Sequence, residues 1–298
     1  MTFSVQPTRK TSPIVMLVHA DGGVGKSTFA AAAPGTIFIA AEDGLKNIDA
    51  RAVDPHPTSW SGVLEALDYL ADAGECRTVA VDSLDWIEPL CWEHVCKASR
   101  KKDIEAFGYG KGYVAALDEW RIFLRKLEVL RGRGKNIILV AHSIRKPVKN
   151  PEGDDYERWQ IKLHEKAAGL IKEWVDIVAF ASHEVLVDDS SGRAKGMSTG
   201  RRLLRVQPNA AYDAKTRYDM PKSIPLDWAA FERAVEAGRR SPVERLKADL
   251  DVKLVELADD AVESKAMAFL KERGTSVSSL TEALDTVTAY LAEKRKAG

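Results

Sequence analysis

The sequence lacks a net charge. Its 44 lysines and arginines are balanced by 44 aspartates and glutamates. No overall field therefore draws the chain to a polyanion or a membrane surface, and any such contact has to come from a local patch. Cysteine is scarce: Cys76, Cys91 and Cys96 are the only three. An odd number without metal-ligand spacing excludes a disulfide framework, and the expected compartment is a reducing cytoplasm. Cys91 and Cys96 are expected to pack within a helix. No apolar run approaches the ~18 residues of a membrane span. The opening segment MTFSVQPTRKTSP has no apolar signal core, so export is not expected. Internal repeats and low-complexity tracts are missing too. What is there is 298 residues, 45% apolar and 30% charged, a soluble globular composition with room for one large α/β domain and an appendage, or for two domains.

The stretch that organises the chain is Ile14–Ala33, IVMLVHADGGVGKSTFAAAA. A short β-branched run reads as a strand covered on both faces. A glycine-rich turn and a helix of small residues follow, which is the order a P-loop requires. Gly22, Gly23 and Gly25 let the backbone curl so that successive N–H groups, with those of Asp21, Val24 and Thr28, surround a phosphate. Lys26 reaches the β and γ phosphates of ATP, and the Ser27 hydroxyl ligates Mg²⁺. Ala20 stands at the first glycine position of the motif.

Further strand ends supply polar groups. Thr36–Ala41 reads as a strand ending in Glu42-Asp43-Gly44, and a carboxylate there can polarise the water that attacks a γ-phosphate. Arg77–Ser83 ends in Asp82, the Walker B pattern of a metal-holding carboxylate about 55 residues after a P-loop. Asp85 reads as a cap for the helix Trp86–Cys96. The strand Ile137–Ala141 ends in His142-Ser143, where a polar pair can sense the γ-phosphate by hydrogen bonds. Lys97–Tyr113 gathers Lys97, Arg100, Lys101, Lys102 and Lys111 with Phe107, Tyr109 and Tyr113. Cations and rings on a glycine-rich loop suit single-stranded nucleic acid. A solvated helix end with tyrosines packed on the body is the alternative. Ile144–Gln160 reads as a polar, charge-balanced loop. Residues 184–188 and 201–208 read as strands around the turn DDSSGRAKGMSTG. Lys215 and Arg217 alternate, so an extended segment points both the same way. Beyond Gly238 the composition changes. Ser241-Pro242-Val243-Glu244 is a capping box, and the tail reads as helices with a net charge of −2 over 241–298. The expected organisation is an arm at 1–13, an ATPase core at 14–238 and a helical region at 239–298.

Taken together, these segments resemble the RecA-like ATPase core. FIAAEDGL (38–45) is similar to the RecA segment that ends in the catalytic glutamate, and Val81-Asp82-Ser83 to its Walker B. GYGKGY, the Val-Ala-His strand end and DAKTRYDMP resemble phage-encoded RecA-like proteins of the Sak single-strand annealing type. The resemblance covers about residues 12–235. It implies an α/β fold with a mostly parallel central sheet and a small C-terminal helical appendage. It also implies Glu42 as general base, Lys26 and Ser27 on phosphate and Mg²⁺, Asp82 on the metal, and His142 as γ-phosphate sensor. Lys215 and Arg217 would reach the next subunit's ATP. Segments 97–113 and 144–160, the latter with Arg145 and Lys146, would be the DNA loops. The implied activity is ATP-dependent recombination on single-stranded DNA by a filament or ring in the cytoplasm of a phage-infected bacterium. A phage or host single-strand-binding protein is an expected partner. The competing readings are a partition-type switch ATPase, although Asp21 stands where that class has lysine; an AAA+-like loader with the tail as lid; and a non-catalytic nucleotide-binding scaffold.

Overall fold

The computed structural model describes residues 12–42, 44–188 and 195–297, with backbone alone at 186–188, 195–197 and 296–297. Residues 1–11 of the expected arm at 1–13, Asp43, the turn residues 189–194 and Gly298 lie outside the described residues. The chain divides into two compact units, up to Ala234 and from Val235.

The first unit is built on strands β1 (Val15–Ala20), β2 (Thr36–Ala40), β3 (Arg51–Ala52), β4 (Thr78–Asp82), β5 (Asn136–Val148), β6 (Tyr156–Ile161), β7 (Ile177–Asp188), β8 (Lys195–Arg205), β9 (Lys215–Thr216) and β10 (Ser223–Pro225). The sheet runs β10-β8-β7-β1-β5-β4-β2-β3. From β7 to β3 every pair is parallel, while β8 and β10 run antiparallel at one edge. Its central strands are apolar without alternation because helices cover both faces. All six residues of β1 and all five of β2 and β4 are buried.

One face carries α2 (Trp60–Asp72), α3 (Leu84–Ala98), α4 (Lys111–Gly132) and α5 (Glu165–Trp174). Their apolar stripes meet Val15, Leu17, Ile39 and Val81 in one core. Trp60 packs edge-on against Trp120 at 5.1 Å and donates its indole N–H to Glu119 at 2.8 Å, so the ring is buried without an orphaned donor. Elsewhere in the unit, Phe29 of α1 (Lys26–Ala31) packs against Trp228 and Phe231, at the start of α6 (Trp228–Arg239). Cys91 and Cys96 are buried in α3 as expected, with free thiols.

The expected loop at 144–160 is corrected. β5 continues to Val148 and pairs antiparallel with β6, Ser143 opposite Ile161 through Val148 opposite Tyr156. The charges hide an alternation in which Ile144, Lys146 and Val148 share one side of the strand. Asn150-Pro151-Glu152-Gly153 makes the reversal.

The second unit contains α7 (Pro242–Leu257), α8 (Asp260–Arg273) and α9 (Val277–Ala297). The capping box forms as read: the Glu244 N–H donates to the Ser241 hydroxyl, and the Ser241 N–H to the Glu244 carboxylate. Leu250, Leu254, Val262, Leu280, Val287 and Leu291 form its core. Among the described residues no helix is long and apolar enough to cross a membrane.

Candidate active site

Four parallel neighbours set the site. β1, β5, β4 and β2 lie side by side, with Ala20 opposite His142, Val140 opposite Asp82, and Asp82 opposite Ala40. Whatever follows their carboxyl ends must converge, and in open α/β sheets that crevice is where ligands bind. Lys26, Ser27, Thr28, Glu42, Asp82 and His142 line one cleft there, of about 610 Å³. Gly23, Gly25, Gly44, Asn47 and Ile48 complete the wall; Asn47 and Ile48 carry no motif and were not legible in the sequence.

The glycine loop takes the form that the motif demands. Gly23 and Gly25 adopt φ of 75° and 103°, left-handed values that side chains resist. The Asp21 carboxylate accepts the Gly22 N–H at 2.9 Å. Ala20 is the buried last residue of β1, so its methyl fits where the motif has glycine. The Lys26 amine folds back on the loop, donating to the Ala20 and Asp21 carbonyls at 3.3 and 3.1 Å. Burial lowers its pKa, against the pull of the Asp82, Asp85 and Glu42 carboxylates.

Asp82 is 2% exposed, and neither carboxylate oxygen has a hydrogen-bond partner among the described residues. Burial raises its pKa. The Ser27 hydroxyl is the neighbour that most favours its ionised form, without closing a bond onto either oxygen. Glu42 is half-buried, and its pKa is raised by burial and then by the charge of Asp82.

Asp85 does not cap its helix. Its carboxylate accepts the His142 backbone N–H at 2.9 Å and faces His142 Nδ1 at 3.0 Å. Burial would raise its pKa, but the two bonds from His142 prevail and the net shift is downward. His142 is thus held over the cleft from the first turn of α3. Ser143 points the other way, since adjacent strand residues face opposite sides. Its hydroxyl lies 2.9 Å from Nδ1 of the fully buried His19. His19 Nε2 lies 2.8 Å from the Asp213 carbonyl, and burial pushes the His19 pKa down to about 4.

The sequence matches the family described as the AAA domain over residues 12–218. The chain belongs to the AAA domain family. The match spans the loop, all four strand ends and the segment of Lys215, and stops before the helical tail. A KaiC-like protein from the hyperthermophilic archaeon Pyrococcus horikoshii OT3 is among the similar solved structures, at 13% identity and a TM-score of 0.36, over 72% of this chain and 85% of that one. Comparison with curated proteins gave no match. The AAA-domain unit is a P-loop ATPase by family and by the convergence of its loop and strand ends.

Other expected residues of this AAA-domain protein lie outside the cleft. Lys215 and Arg217 point the same way, as the alternation required, but onto their own α5. The Lys215 amine donates to the carbonyls of Lys172, Glu173 and Val175 at 2.7, 3.1 and 2.8 Å, and burial lowers its pKa. Arg217 donates to the Glu173 carbonyl at 3.1 Å and to the Asp176 carboxylate at 2.7 Å. In segment 97–113 the three rings part company. Phe107 packs on the core, with the Lys101 amine 6.0 Å from its ring centre. Tyr113 stacks on His164 at 4.0 Å. Tyr109, at φ 49° between Gly108 and Gly110, is 102% exposed. Lys97 pairs with Glu93 at 2.7 Å. Arg100, Lys101, Lys102 and Lys111 are exposed around Tyr109's segment. On the hairpin, Arg145 pairs with Glu157 at 3.5 Å and lies 5.5 Å from the Trp159 ring centre, while Lys146 is half-buried. Arg202 of β8, which no motif flagged, donates to the Val24 carbonyl of the loop at 3.1 Å.

Proposed function

We propose that this AAA-domain protein is an ATP-dependent, single-stranded DNA-binding recombination protein of the phage RecA-like annealing type, acting as a homo-oligomer in the host cytoplasm. The observation that carries the ATPase part is the convergence of the Lys26 amine, the unpartnered Asp82 carboxylate and Glu42 on one cleft. A buried carboxylate without a partner is costly unless a ligand completes it. The unpartnered Asp82 oxygens fit Mg²⁺, with Ser27 and Asp82 as its protein side. Two side chains alone are a poor cation site, and no group of three or more His, Cys, Asp or Glu suited to a metal exists among the described residues. Ser27 and Asp82 would therefore hold the ion together with the nucleotide's phosphates. When bound, it neutralises charge on the transferring phosphoryl group.

The chain's own residues do the rest. Lys26 exchanges two carbonyls for phosphate oxygens. Glu42 accepts a proton from the attacking water, which its raised pKa favours at neutral pH. His142, held by Asp85, hydrogen-bonds the γ-phosphate. Tyr109 supports the DNA part: a free ring on a basic, glycine-flanked tip is a stacking platform. A trans role for Lys215 and Arg217 requires them to leave α5. Arg217, 52% exposed, is the freer of the two.

The test is an ATP-dependent shift of a single-stranded oligonucleotide, measured at low and physiological salt. Binding is expected with ATP, about tenfold weaker in Tyr109→Ala. No shift at either salt concentration would overturn the DNA reading while leaving the ATPase reading intact.

A further inference from the structure

We infer that Arg202 positions the nucleotide. By holding the Val24 carbonyl away from the cleft, it aims the Gly25 amide N–H into the phosphate cradle. The inference rests on the nucleotide-binding reading above.

Three observations carry it. The first is the bond itself, from the Arg202 guanidinium to the Val24 carbonyl at 3.1 Å, across 178 residues of sequence. Arg202 is fixed from behind, since β8 pairs with β7 at His183 and the Arg202 carbonyl accepts the Leu226 N–H at 2.9 Å. The second is contact. A Cβ built on Gly25 would fall 2.4 Å from the guanidinium nitrogen, so the arginine lies directly against this residue and leaves no room for a side chain. The φ of 103° is what requires glycine here, and a side chain in its place would also have to push the guanidinium aside. The third is the other end of the same peptide. A trans peptide plane points its C=O and N–H in opposite directions. With the Val24 oxygen drawn toward Arg202, the Gly25 N–H points to the opposite side of the peptide, and it has no backbone acceptor among the described residues.

Arg202 does not line the cleft, so it acts through the loop and is a positioning residue. A guanidinium stays charged at every relevant pH, and its bond to the carbonyl is charge-assisted. Without it, the Val24–Gly25 peptide can rotate. The N–H that the phosphate needs would then be ordered only at the expense of binding.

The test is equilibrium titration of fluorescent ADP with Mg²⁺ against the wild-type chain, Arg202→Ala, Arg202→Lys and Lys26→Ala, with thermal unfolding of each nucleotide-free protein. The alanine variant should bind about tenfold more weakly at an unchanged unfolding temperature. Lysine, which can still donate to the Val24 carbonyl, should recover most of the loss. Wild-type affinity in Arg202→Ala overturns the inference and leaves nucleotide binding standing. Equal weakening in the lysine and alanine variants also overturns it, because orientation by a donor would then not be the cause. Should the alanine variant fail to fold, the lysine variant is compared with Arg202→Met, which has no donor, and equal affinity in those two, both at the wild-type level, sinks the proposal. Absence of ADP binding by the wild type would overturn the nucleotide reading itself, and this one with it.

Discussion

Two charged regions lie at opposite ends of the same parallel sheet, and they are finished differently. At the amino ends of β1 and β7, Asp176, Arg131, Lys215 and Arg217 all have partners. Asp176 is buried between Arg217 at 2.7 Å and Arg131 at 3.1 Å, and Lys215 gives its amine to three carbonyls at the end of α5. At the carboxyl ends, neither Asp82 oxygen closes a hydrogen bond among the described residues, Glu42 has its pKa raised, and Lys26 settles for two backbone carbonyls. A folded chain tolerates unmet polar groups where something else is to meet them. Satisfied charge marks structure, and unsatisfied charge marks a ligand. Lys215 and Arg217, which the resemblance assigned to a neighbouring subunit's ATP, bond the end of α5 in this chain.

The largest expected effect tests the unsatisfied end. Glu42→Gln should lower ATP turnover by roughly 10²–10⁴-fold while ATP affinity stays within a few-fold. Unchanged turnover, measured as phosphate release, would remove Glu42 from the chemistry and favour a nucleotide-binding scaffold. The satisfied end should behave in the reverse manner. Lys215→Met leaves three carbonyls without their donor and should cost about 1–3 kcal/mol in a denaturant titration, with ATP affinity unchanged. A Lys215→Met protein of full stability but impaired turnover would restore the trans-acting role.

A third case sharpens the distinction. Glu88 of α3 is buried, yet it accepts the His164 N–H with both oxygens, at 3.0 and 3.1 Å. Burial, with the charge of Asp85 adding to it, raises its pKa to about 7. Its folded pKa thus lies above the unfolded value, and the folded state binds the proton more tightly. Its contribution to stability is greatest below about pH 4.5 and is lost as pH rises toward 7. Glu88→Gln should therefore be more stable than wild type at pH 8, by about 1–3 kcal/mol, with the difference shrinking toward pH 5. A stability difference that does not vary with pH would contradict the assignment.

Much of this was legible because the signals are local. A glycine run between an apolar strand and a small-residue helix needs only consecutive residues. Asp82 ends its strand and Glu42 follows two residues after its own, and the sheet order does the rest. The hairpin at 144–160 was masked because Arg145, Lys146, Glu157 and Arg158 give a strand the composition of a loop. Asp85 was misread because its partner, His142, lies 57 residues away and is reached only through the fold. Arg202 carries no motif, and its contact with the loop depends on the antiparallel edge of the sheet. The difference among Phe107, Tyr109 and Tyr113 is one of packing, which spacing does not encode.

The most direct measurement is an equilibrium titration of ATP with Mg²⁺ into the wild-type chain and Lys26→Ala. Saturable one-to-one binding is expected for the wild type, about a hundredfold weaker once the amine is removed. Equal affinity in the two proteins, or none in the wild type, would mean that the unsatisfied charge at the strand ends is not waiting for a nucleotide.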